Sequence, residues 1–314
     1  MEFLRWALPQ LGLRWSGFRK VRRQVCKRIR RRMGDIGIAD LVSYRALLKA
    51  GSAEWHALDE CCHITISRFF RDIHVFEMLR TRVLPDIASR AKREGRDARI
   101  WSAGCASGEE VYTLKLLWDL EIASTCPDVA VSLTATDIDA TMLARARRAC
   151  FEATSLHELP RHLVTQAFDR AGDLYCMKPL HREGINFLHQ DLRTHSPTYC
   201  FDLILCRYVA FTYFSLPLQK QVLGRIVDRL LPRGYLAIGT HEKLPNDDPR
   251  LSRLTDTSQL FQKAELSDGR DAQNVGAVKS NCSGRHEQSA SAFSPIAPAR
   301  LDELRWAKDF RARE

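Results

Sequence analysis

An alternation of apolar runs and amphipathic helical segments between residues 76 and 241 constrains the fold more than any other feature of the chain. The first apolar run ends at Trp101, and the others occupy residues 131–138, 185–192, 201–211 and 234–241. The helical segments occupy residues 76–93, 109–123, 140–150 and 216–231. Apolar runs of this kind are typical of strands buried on both faces, and a helix between two strands favours a parallel connection. The sequence therefore predicts an α/β fold in which helices cover both faces of a mainly parallel sheet.

Residues 1–72 are expected to form a small all-α domain with a strongly basic helix. Apolar residues recur at three- and four-residue intervals from Phe18 to Met33, which describes one apolar stripe along a helix. Ten Lys and Arg residues lie between Arg14 and Arg32, whereas the formal charge of the whole chain is +10, so the rest of the chain is nearly neutral. Two further helices are expected around residues 41–48 and 55–58.

The helical pattern fades in two other places. Residues 151–184 are expected to form a small insertion beside the sheet. The α/β domain is expected to occupy residues 73–262, and residues 263–314 are expected to be a disordered tail with a last helix at 300–312, because Ser, Gly, Asp, Gln and Asn replace the apolar rhythm there.

Several compartment and chemistry classes are disfavoured by the sequence. The apolar start is interrupted by Arg5, Pro9 and Arg14, and no segment has eighteen uninterrupted apolar residues, so we expect a cytoplasmic protein without membrane insertion. The ten cysteines form no CxxC pair and no regular spacing, which predicts reduced thiols. No metal is expected at the Cys61, Cys62 and His63 triplet, because adjacent side chains point in different directions.

The stretch WSAGCASGEE, residues 101–110, forms a glycine turn after the first predicted strand. Small residues such as Gly104 at a strand end let a ligand approach the backbone. A phosphate would lie on the N-terminus of the next helix, yet Glu109 and Glu110 occupy its first turn and would repel it. They would attract the ammonium and sulfonium groups of S-adenosylmethionine, or they would simply complement the helix dipole.

An aspartate at the end of the second strand predicts a ribose contact. Asp137 is the first acid after the apolar run and can accept hydrogen bonds from both ribose hydroxyls, whereas Asp139 is expected to cap the following helix. The chain has neither a complete GxGxxG motif nor a P-loop lysine.

Five motifs occur in an order that resembles the CheR-type chemotaxis receptor methyltransferases: HITISRFFRD, WSAGCASGEEVYT, TATDIDATML, FLHQDL and CRYVAFTYF. The resemblance extends over residues 18 to 245 and includes the basic helix. It implies a Rossmann-like S-adenosylmethionine-dependent methyltransferase sheet at residues 73–262 with a small N-terminal all-α domain. It also implies methyl transfer from S-adenosylmethionine to glutamate side chains of a chemoreceptor.

The resemblance implies a role for eleven residues. Ser67 and Arg71 would face the cofactor and the reacting carboxylate, and Thr65 replaces an asparagine that is usual in the family. Tyr213 would be the aromatic residue near the methyl group, so Arg71 and Tyr213 are the expected catalytic residues. The other implied contacts are Gly104 at the glycine turn, Glu110 at the methionyl ammonium group, Asp137 at the ribose, and Asp191, Leu192, Arg207 and Tyr208 around the adenine.

The chain departs from the family pattern at three points. Tyr208 replaces the asparagine of a CRN motif, and the spacing from there to Tyr213 is five instead of four. GTHEKLP stands where a GHSE-like turn is common in the family. Two interpretations stay open for His241 and Glu242: one of them lines the site, or they only close a strand. The insertion at 168–187 is shorter than the segment with which some family members hold the receptor tail.

The expected partner is an acidic helical protein such as a chemoreceptor signalling domain, because the basic helix would attract it. Nucleic acid is not expected, since no aromatic residue interrupts the cations between Arg19 and Arg32 to stack on bases. Two alternatives stay open. One is a non-catalytic sensor that binds S-adenosylmethionine, and the other is a methyltransferase acting on a small carboxylate or hydroxyl compound.

Overall fold

Helices form the first part of the chain and surround the sheet. The computed structural model describes residues 2–51, 53–255 and 259–265. The helices are α1 (Glu2–Gln10), α2 (Trp15–Phe18), α3 (Arg22–Asp35), α4 (Leu41–Lys49), α5 (Glu54–Cys61), α6 (Ile73–Met78), α7 (Leu84–Arg93), α8 (Glu109–Leu117), α9 (Ala123–Thr125), α10 (Ala140–Arg148), α11 (Arg161–Ala167), α12 (Ala210–Tyr213) and α13 (Leu216–Asp228). The π-helical segments Leu79–Val83 and Trp118–Ile122 extend α6 and α8.

In the described residues, ten strands form two sheets. They are β1 (Ala98–Ala103), β2 (Val131–Asp137), β3 (Cys150–Glu152), β4 (Phe168–Ala171), β5 (Leu174–Met177), β6 (Ile185–His189), β7 (Phe201–Leu205), β8 (Leu230–Ala237), β9 (Leu251–Arg253) and β10 (Leu260–Lys263). The larger sheet has the order β6-β2-β1-β7-β8-β10-β9, and its first five strands are parallel. The carboxyl ends of these parallel strands meet at one edge of the sheet, where α/β folds bind their ligands.

Two hydrophobic clusters cover the two faces of the large sheet. The first contains α7, α8 and the small sheet, and the second joins the N-terminal helices and α13 to the opposite face. The apolar stripe predicted on the basic helix is buried here through Val25, Ile29 and Met33 of α3. The α/β fold and its N-terminal helices are thus confirmed, while the domain division at residue 72 stays a prediction.

The boundaries of two predicted strands differ from those in the structure, where backbone hydrogen bonds to neighbouring strands set the ends. The strand predicted at 201–211 ends at Leu205, and the one predicted at 234–241 begins at Leu230. β9 and β10 were not predicted, because strands of three and four residues are too short to show a hydrophobic period. Most of the predicted tail, including the helix at 300–312, lies outside the described residues.

The insertion after α10 contains a disulfide that the sequence did not predict. Its strands form an antiparallel sheet of order β3-β5-β4, and the register places Cys150 opposite Cys176. These two side chains form a disulfide, so the expectation of reduced thiols is wrong for this pair. Their separation of 26 residues carries no sign of the pairing, which only the strand register creates.

Within residues 2–51, 53–255 and 259–265, no helix is both long and apolar enough to cross a membrane.

Candidate functional site

A cleft opens at the carboxyl ends of β1, β2, β6 and β7. The N-terminal helices close one side of it through residues such as Phe18 and Asp59. All eleven residues that the sequence predicted for the site line this cleft: Thr65, Ser67, Arg71, Gly104, Glu110, Asp137, Asp191, Leu192, Arg207, Tyr208 and Tyr213. The structure therefore brings them together, although the role of each one stays a prediction.

The turn after β1 depends on Gly104. Its φ is +83°, and its backbone N–H donates to the Thr136 carbonyl at 2.8 Å. A Cβ at this position would lie 2.4 Å from Cγ2 of Val209, so both the conformation and the space require glycine.

Replacing Gly104 with alanine is expected to lower the free energy of unfolding by about 2–4 kcal/mol, from backbone strain and overpacking. Urea unfolding would measure the loss. Gly224→Ala is the control, since Gly224 lies within α13 with no atom within 4 Å of an added Cβ. That variant should be more stable by about 0.5–1 kcal/mol. Equal unfolding midpoints for Gly104→Ala and the wild type would contradict the account of this turn.

The two glutamates at the start of α8 have different surroundings. Glu110 lines the cleft, where its Oε1 accepts from Ser102 Oγ at 2.7 Å and its Oε2 from Arg207 Nη1 at 2.8 Å. Glu109 is buried, and both of its carboxylate oxygens accept from the Ser107 hydroxyl at 3.0 and 2.9 Å. Glu110 is therefore the glutamate that can meet a ligand.

Arg207 connects three parts of the site. Its side chain is only 3% exposed, and besides Glu110 it donates through Nη2 to the Arg71 carbonyl at 2.6 Å and to Asp72 Oδ2 at 2.9 Å. Burial acts to raise the pKa of Asp72, but hydrogen bonds from Tyr208 and Arg207 outweigh it and hold the pKa below its ordinary value. Asp72 is thus anionic at neutral pH and belongs to a buried charge network.

Arg71 lies over the ring of Tyr208. Its Cζ is 3.9 Å from the ring centroid, and its Nη1 donates to the Ile66 carbonyl at 2.6 Å. The Tyr208 hydroxyl donates to Asp72 Oδ2 at 2.5 Å.

Tyr213 packs against the N-terminal helices. Its ring centroid is 4.9 Å from that of Phe18, and its carbonyl accepts from the Arg14 N–H at 2.8 Å. Burial raises the pKa of Tyr213 to about 12, so its hydroxyl keeps its proton at physiological pH. The ring lines the cleft despite the altered spacing in its motif.

Asp137 and Asp139 lie in different surroundings, as expected for a ribose contact and a helix cap. Asp137 lines the cleft, where its carboxylate accepts from the backbone N–H groups of Ala106 and Asp139, both at 2.8 Å. Burial raises its pKa, and among the described residues it has no ion-pair partner. Asp139 caps α10 by accepting from the N–H groups of Thr141 and Met142. A half-buried acid at a strand end, without a counter-ion among the described residues, suits hydroxyl donors such as those of ribose.

Asp191 is tied to the N-terminal helices by Arg193. Arg193 Nε donates to both Asp191 oxygens at 3.0 Å, while its Nη1 and Nη2 donate to Asp59 of α5 at 2.8 and 2.6 Å. Burial acts to raise the pKa of Asp59, but hydrogen bonds from His63 and Arg193 lower it to about 2. This bridge attaches the helical layer to the edge of the cleft.

The Asp59 contribution to stability should depend on pH. Its folded pKa of about 2 lies below the ordinary value of 3.8, so the stabilisation is complete well above pH 3.8 and is lost as the pH falls toward 2. We expect Asp59→Asn to lower the free energy of unfolding by about 2 kcal/mol at pH 7. The difference from wild type should shrink between pH 5 and pH 3 in urea titrations. A difference that is constant over this range would show that the Asp59 charge is not responsible.

Glu242, which the sequence left open between two roles, supports the loop after β7. It is 4% exposed and does not line the cleft; it accepts from Tyr208 N–H and Gly239 N–H at 2.8 Å and from Thr212 Oγ1 at 2.5 Å. Burial raises its pKa. His241 is exposed, and it does not line the cleft either.

Four residues of the cleft region were missed by sequence reasoning: Asp59, Asp72, Gln190 and Arg193. The charged three act through partners more than 130 positions away, for which the sequence carries no signal. Gln190 lines the cleft, and its buried Oε1 has no hydrogen-bond partner among the described residues. A buried acceptor without a donor is costly unless a ligand supplies one, so this atom suits an amino group such as that of adenine.

The polar groups of the cleft fit a nucleoside that carries a positive charge and no phosphate. Asp137 can accept ribose hydroxyls, Gln190 can accept an amino group, and Glu110 replaces the phosphate site of a nucleotide-binding helix with negative charge. The fold and the cleft together define the S-adenosylmethionine-binding domain of a methyltransferase.

The comparison with family models identifies the particular group. Residues 65–260 match the CheR methyltransferase, SAM binding domain model, and the chain belongs to this family. An uncharacterized 104.1 kDa protein of Rhodobacter capsulatus is 32% identical over 240 residues, which is 76% of this chain. The chain spans 25% of the length of that relative.

A curated relative and a solved structure extend the comparison. The chemotaxis protein methyltransferase of Listeria innocua is 32% identical over 183 residues, 58% of this chain and 67% of the relative. The N-methyltransferase NodS of Bradyrhizobium japonicum is 14% identical with a TM-score of 0.32, covering 58% of this chain and 94% of NodS.

Proposed function

We propose that this chain transfers a methyl group from S-adenosylmethionine to glutamate side chains of a chemoreceptor-like protein. The observation that carries the proposal is the Arg71 guanidinium in the cleft, held against a tyrosine ring and forming no ion pair with any described carboxylate. An acceptor carboxylate can supply the missing negative partner.

In this proposal the cofactor-binding residues are ordered along the cleft. Asp137 holds the ribose hydroxyls, Gln190 and the neighbouring Asp191 and Leu192 border the adenine, and Glu110 attracts the methionyl ammonium group. S-adenosylmethionine supplies an electrophilic methyl group on a positively charged sulfur. Arg207 contacts Glu110 and Tyr208 contacts Asp72, so we assign Arg207 to the methionyl end and Tyr208 to the acceptor end instead of the adenine.

The acceptor needs little help beyond orientation. A free glutamate has a pKa of about 4.3 and is already ionised near pH 7, so no general base is required. Arg71 would hold the carboxylate by charge-assisted hydrogen bonds, and Ser67 and Tyr213 would line its approach. Fixing the nucleophile in line with the methyl group can supply about 7–11 kcal/mol of the barrier reduction.

The partner would be an acidic helical protein. On α3 the cations Arg22, Arg23, Lys27, Arg30 and Arg31 are exposed. Such a surface would attract an acidic helical bundle and accelerate its association at low ionic strength. A cytoplasmic location, which the sequence predicts, is part of this proposal, and the Cys150 to Cys176 disulfide is the observation that opposes it.

Incubation with radiolabelled S-adenosylmethionine and separated cell fractions tests the proposal. We expect label on a membrane-associated protein, and mild alkali should release it as methanol, because carboxyl methyl esters are base-labile whereas N-methyl groups are not. Label in a small soluble acid would favour a small-molecule methyltransferase. Binding of S-adenosylmethionine without any labelled product would favour a sensor, and either result would overturn the proposed acceptor.

A further inference from the structure

Tyr208 has an unusual backbone conformation for a tyrosine. Its φ is +58°, in the left-handed region that glycine and asparagine tolerate better than an aromatic residue. Strain of this kind persists when the surrounding structure needs the side chain in that place. The ring of Tyr208 is therefore the feature to explain.

The ring is held from two directions. Its hydroxyl donates to Asp72 Oδ2 at 2.5 Å and accepts from the Thr240 N–H at 3.2 Å. On another side, a Cβ at Gly239 would lie 2.7 Å from Cε1 and Cζ of the ring, so only glycine leaves room for it. The chain thus provides both an anchor and a space for this one aromatic side chain.

The ring in turn holds Arg71 without neutralising it. The Arg71 Cζ lies 3.9 Å from the ring centroid, which is a close cation–π contact. The carboxylate of the adjacent Asp72 accepts from Tyr208 and Arg207, and within the described part of the chain Arg71 forms no ion pair. A carboxylate partner would cancel the charge that an anionic acceptor requires, whereas an aromatic face orients the guanidinium and leaves its charge available.

We propose that Tyr208 is a positioning residue that fixes the Arg71 guanidinium for the acceptor carboxylate. This inference rests on the proposed function, since it assumes that Arg71 binds the acceptor. Tyr208 acts through Arg71. Its contribution to S-adenosylmethionine affinity is therefore much smaller than its contribution to methyl transfer.

Three substitutions distinguish the contribution of the Tyr208 ring from those of its hydroxyl and of its strained backbone. Tyr208→Phe keeps the aromatic face but loses the hydroxyl anchor, so its kcat/KM for the methyl acceptor should lie between that of wild type and those of the variants without the ring. Tyr208→Leu and Tyr208→Asn remove the face and should lower kcat/KM about fivefold to thirtyfold, the range between an exposed and a desolvated cation–π contact, because Arg71 and Tyr208 are both half-buried. Asparagine suits the left-handed conformation, so its variant should melt no lower than wild type while losing activity.

The dependence on Arg71 is tested in a double-mutant cycle. In an Arg71→Ala background, Tyr208→Leu should change kcat/KM less than twofold, because the residue it positions is gone. The dissociation constant of S-adenosylhomocysteine should stay within about threefold in every variant. A full additional loss in the Arg71→Ala background, or a cofactor affinity that falls in step with kcat/KM, overturns the positioning role.

A spectroscopic readout is independent of methyl transfer. The Nε–H resonance of Arg71, assigned with Arg71→Lys, should show an upfield ring-current shift in wild type and in Tyr208→Phe, and lose it in Tyr208→Leu. No ring-current shift in wild type overturns the contact itself. A shifted resonance in a protein that methylates nothing overturns the proposed function and, with it, the purpose assigned to the contact, while leaving the geometry intact.

Discussion

Arg71→Ala is expected to lower kcat/KM for methyl transfer by about 10²- to 10³-fold, because it removes preorganised donors from the acceptor carboxylate. The dissociation constant of S-adenosylhomocysteine should change by less than about threefold, since the guanidinium contacts Tyr208 and Ile66 and does not belong to the Glu110 ion pair. Steady-state kinetics with varied acceptor, together with calorimetry of S-adenosylhomocysteine binding, would measure both quantities.

Two further variants complete the Arg71 experiment. Arg71→Lys keeps the charge but loses the planar fork, so its activity should fall between those of the alanine variant and the wild type. Arg82→Ala is the matched control, because Arg82 is exposed on the segment Leu79–Val83 and does not line the cleft. Wild-type turnover by Arg71→Ala, or a loss shared equally by Arg82→Ala, would remove Arg71 from the mechanism.

The second large effect is expected at Glu110, at the start of α8. Its neighbour Glu109 makes it possible to separate a loss of cofactor binding from a loss of charge at the helix N-terminus. Glu110→Gln should weaken binding of S-adenosylmethionine about tenfold to hundredfold, because it removes the negative charge facing the methionyl ammonium group and half of the Arg207 ion pair. The same change should lower the free energy of unfolding by about 1–3 kcal/mol, since Arg207 stays buried and keeps only Asp72 as its ionic partner.

Glu109→Gln is the control for Glu110→Gln. Glu109 is the residue before Glu110 in the first turn of α8, so the two carboxylates interact similarly with the helix dipole. The Glu109 carboxylate, however, contacts Ser107, and Glu109 does not line the cleft. Calorimetric titration should therefore give an affinity within about threefold of wild type. Equal losses in both variants would mean that the glutamates serve the helix dipole, which is the alternative that the sequence left open.

The network around Arg207 explains why the effects of these substitutions are not independent. Arg207 joins Glu110, Asp72 and the Arg71 carbonyl, and Asp72 also accepts from the Tyr208 hydroxyl. Residues of one hydrogen-bond network couple energetically, so single-variant losses will not add. The residues proposed to bind the cofactor and the acceptor are thus connected through one buried cation.

Much of the site could be predicted because strand ends are visible in the sequence. Gly104 and Asp137 each follow an apolar run, and parallel strands place their carboxyl ends at one edge, whereas Asp191 was predicted from the family resemblance. The motifs of the family then added Arg71 and Tyr213, which no periodicity distinguishes. The roles of these residues remain predictions, although their place in one cleft is confirmed.

Other features could not be predicted because they depend on distant pairing. The Asp59 to Arg193 bridge joins positions 134 residues apart, and the Arg207 to Asp72 ion pair joins positions 135 apart. Cys150 and Cys176 become neighbours only through the register of a small antiparallel sheet, whose short strands have no clear period. The sequence prediction of reduced thiols failed for this reason.

The amino-acid sequence by itself determined the alternation of strands and helices, the basic helix, and the acids and glycines that follow the strands, because these depend on periodicity and on residue type at each position. Only the tertiary structure decided that Glu109 is buried against Ser107, that Arg71 lies over the ring of Tyr208, and that Arg207 links Glu110 to Asp72. Those choices depend on side-chain direction and on contacts between segments far apart in the chain, and the packing of the sheet against its helices sets both.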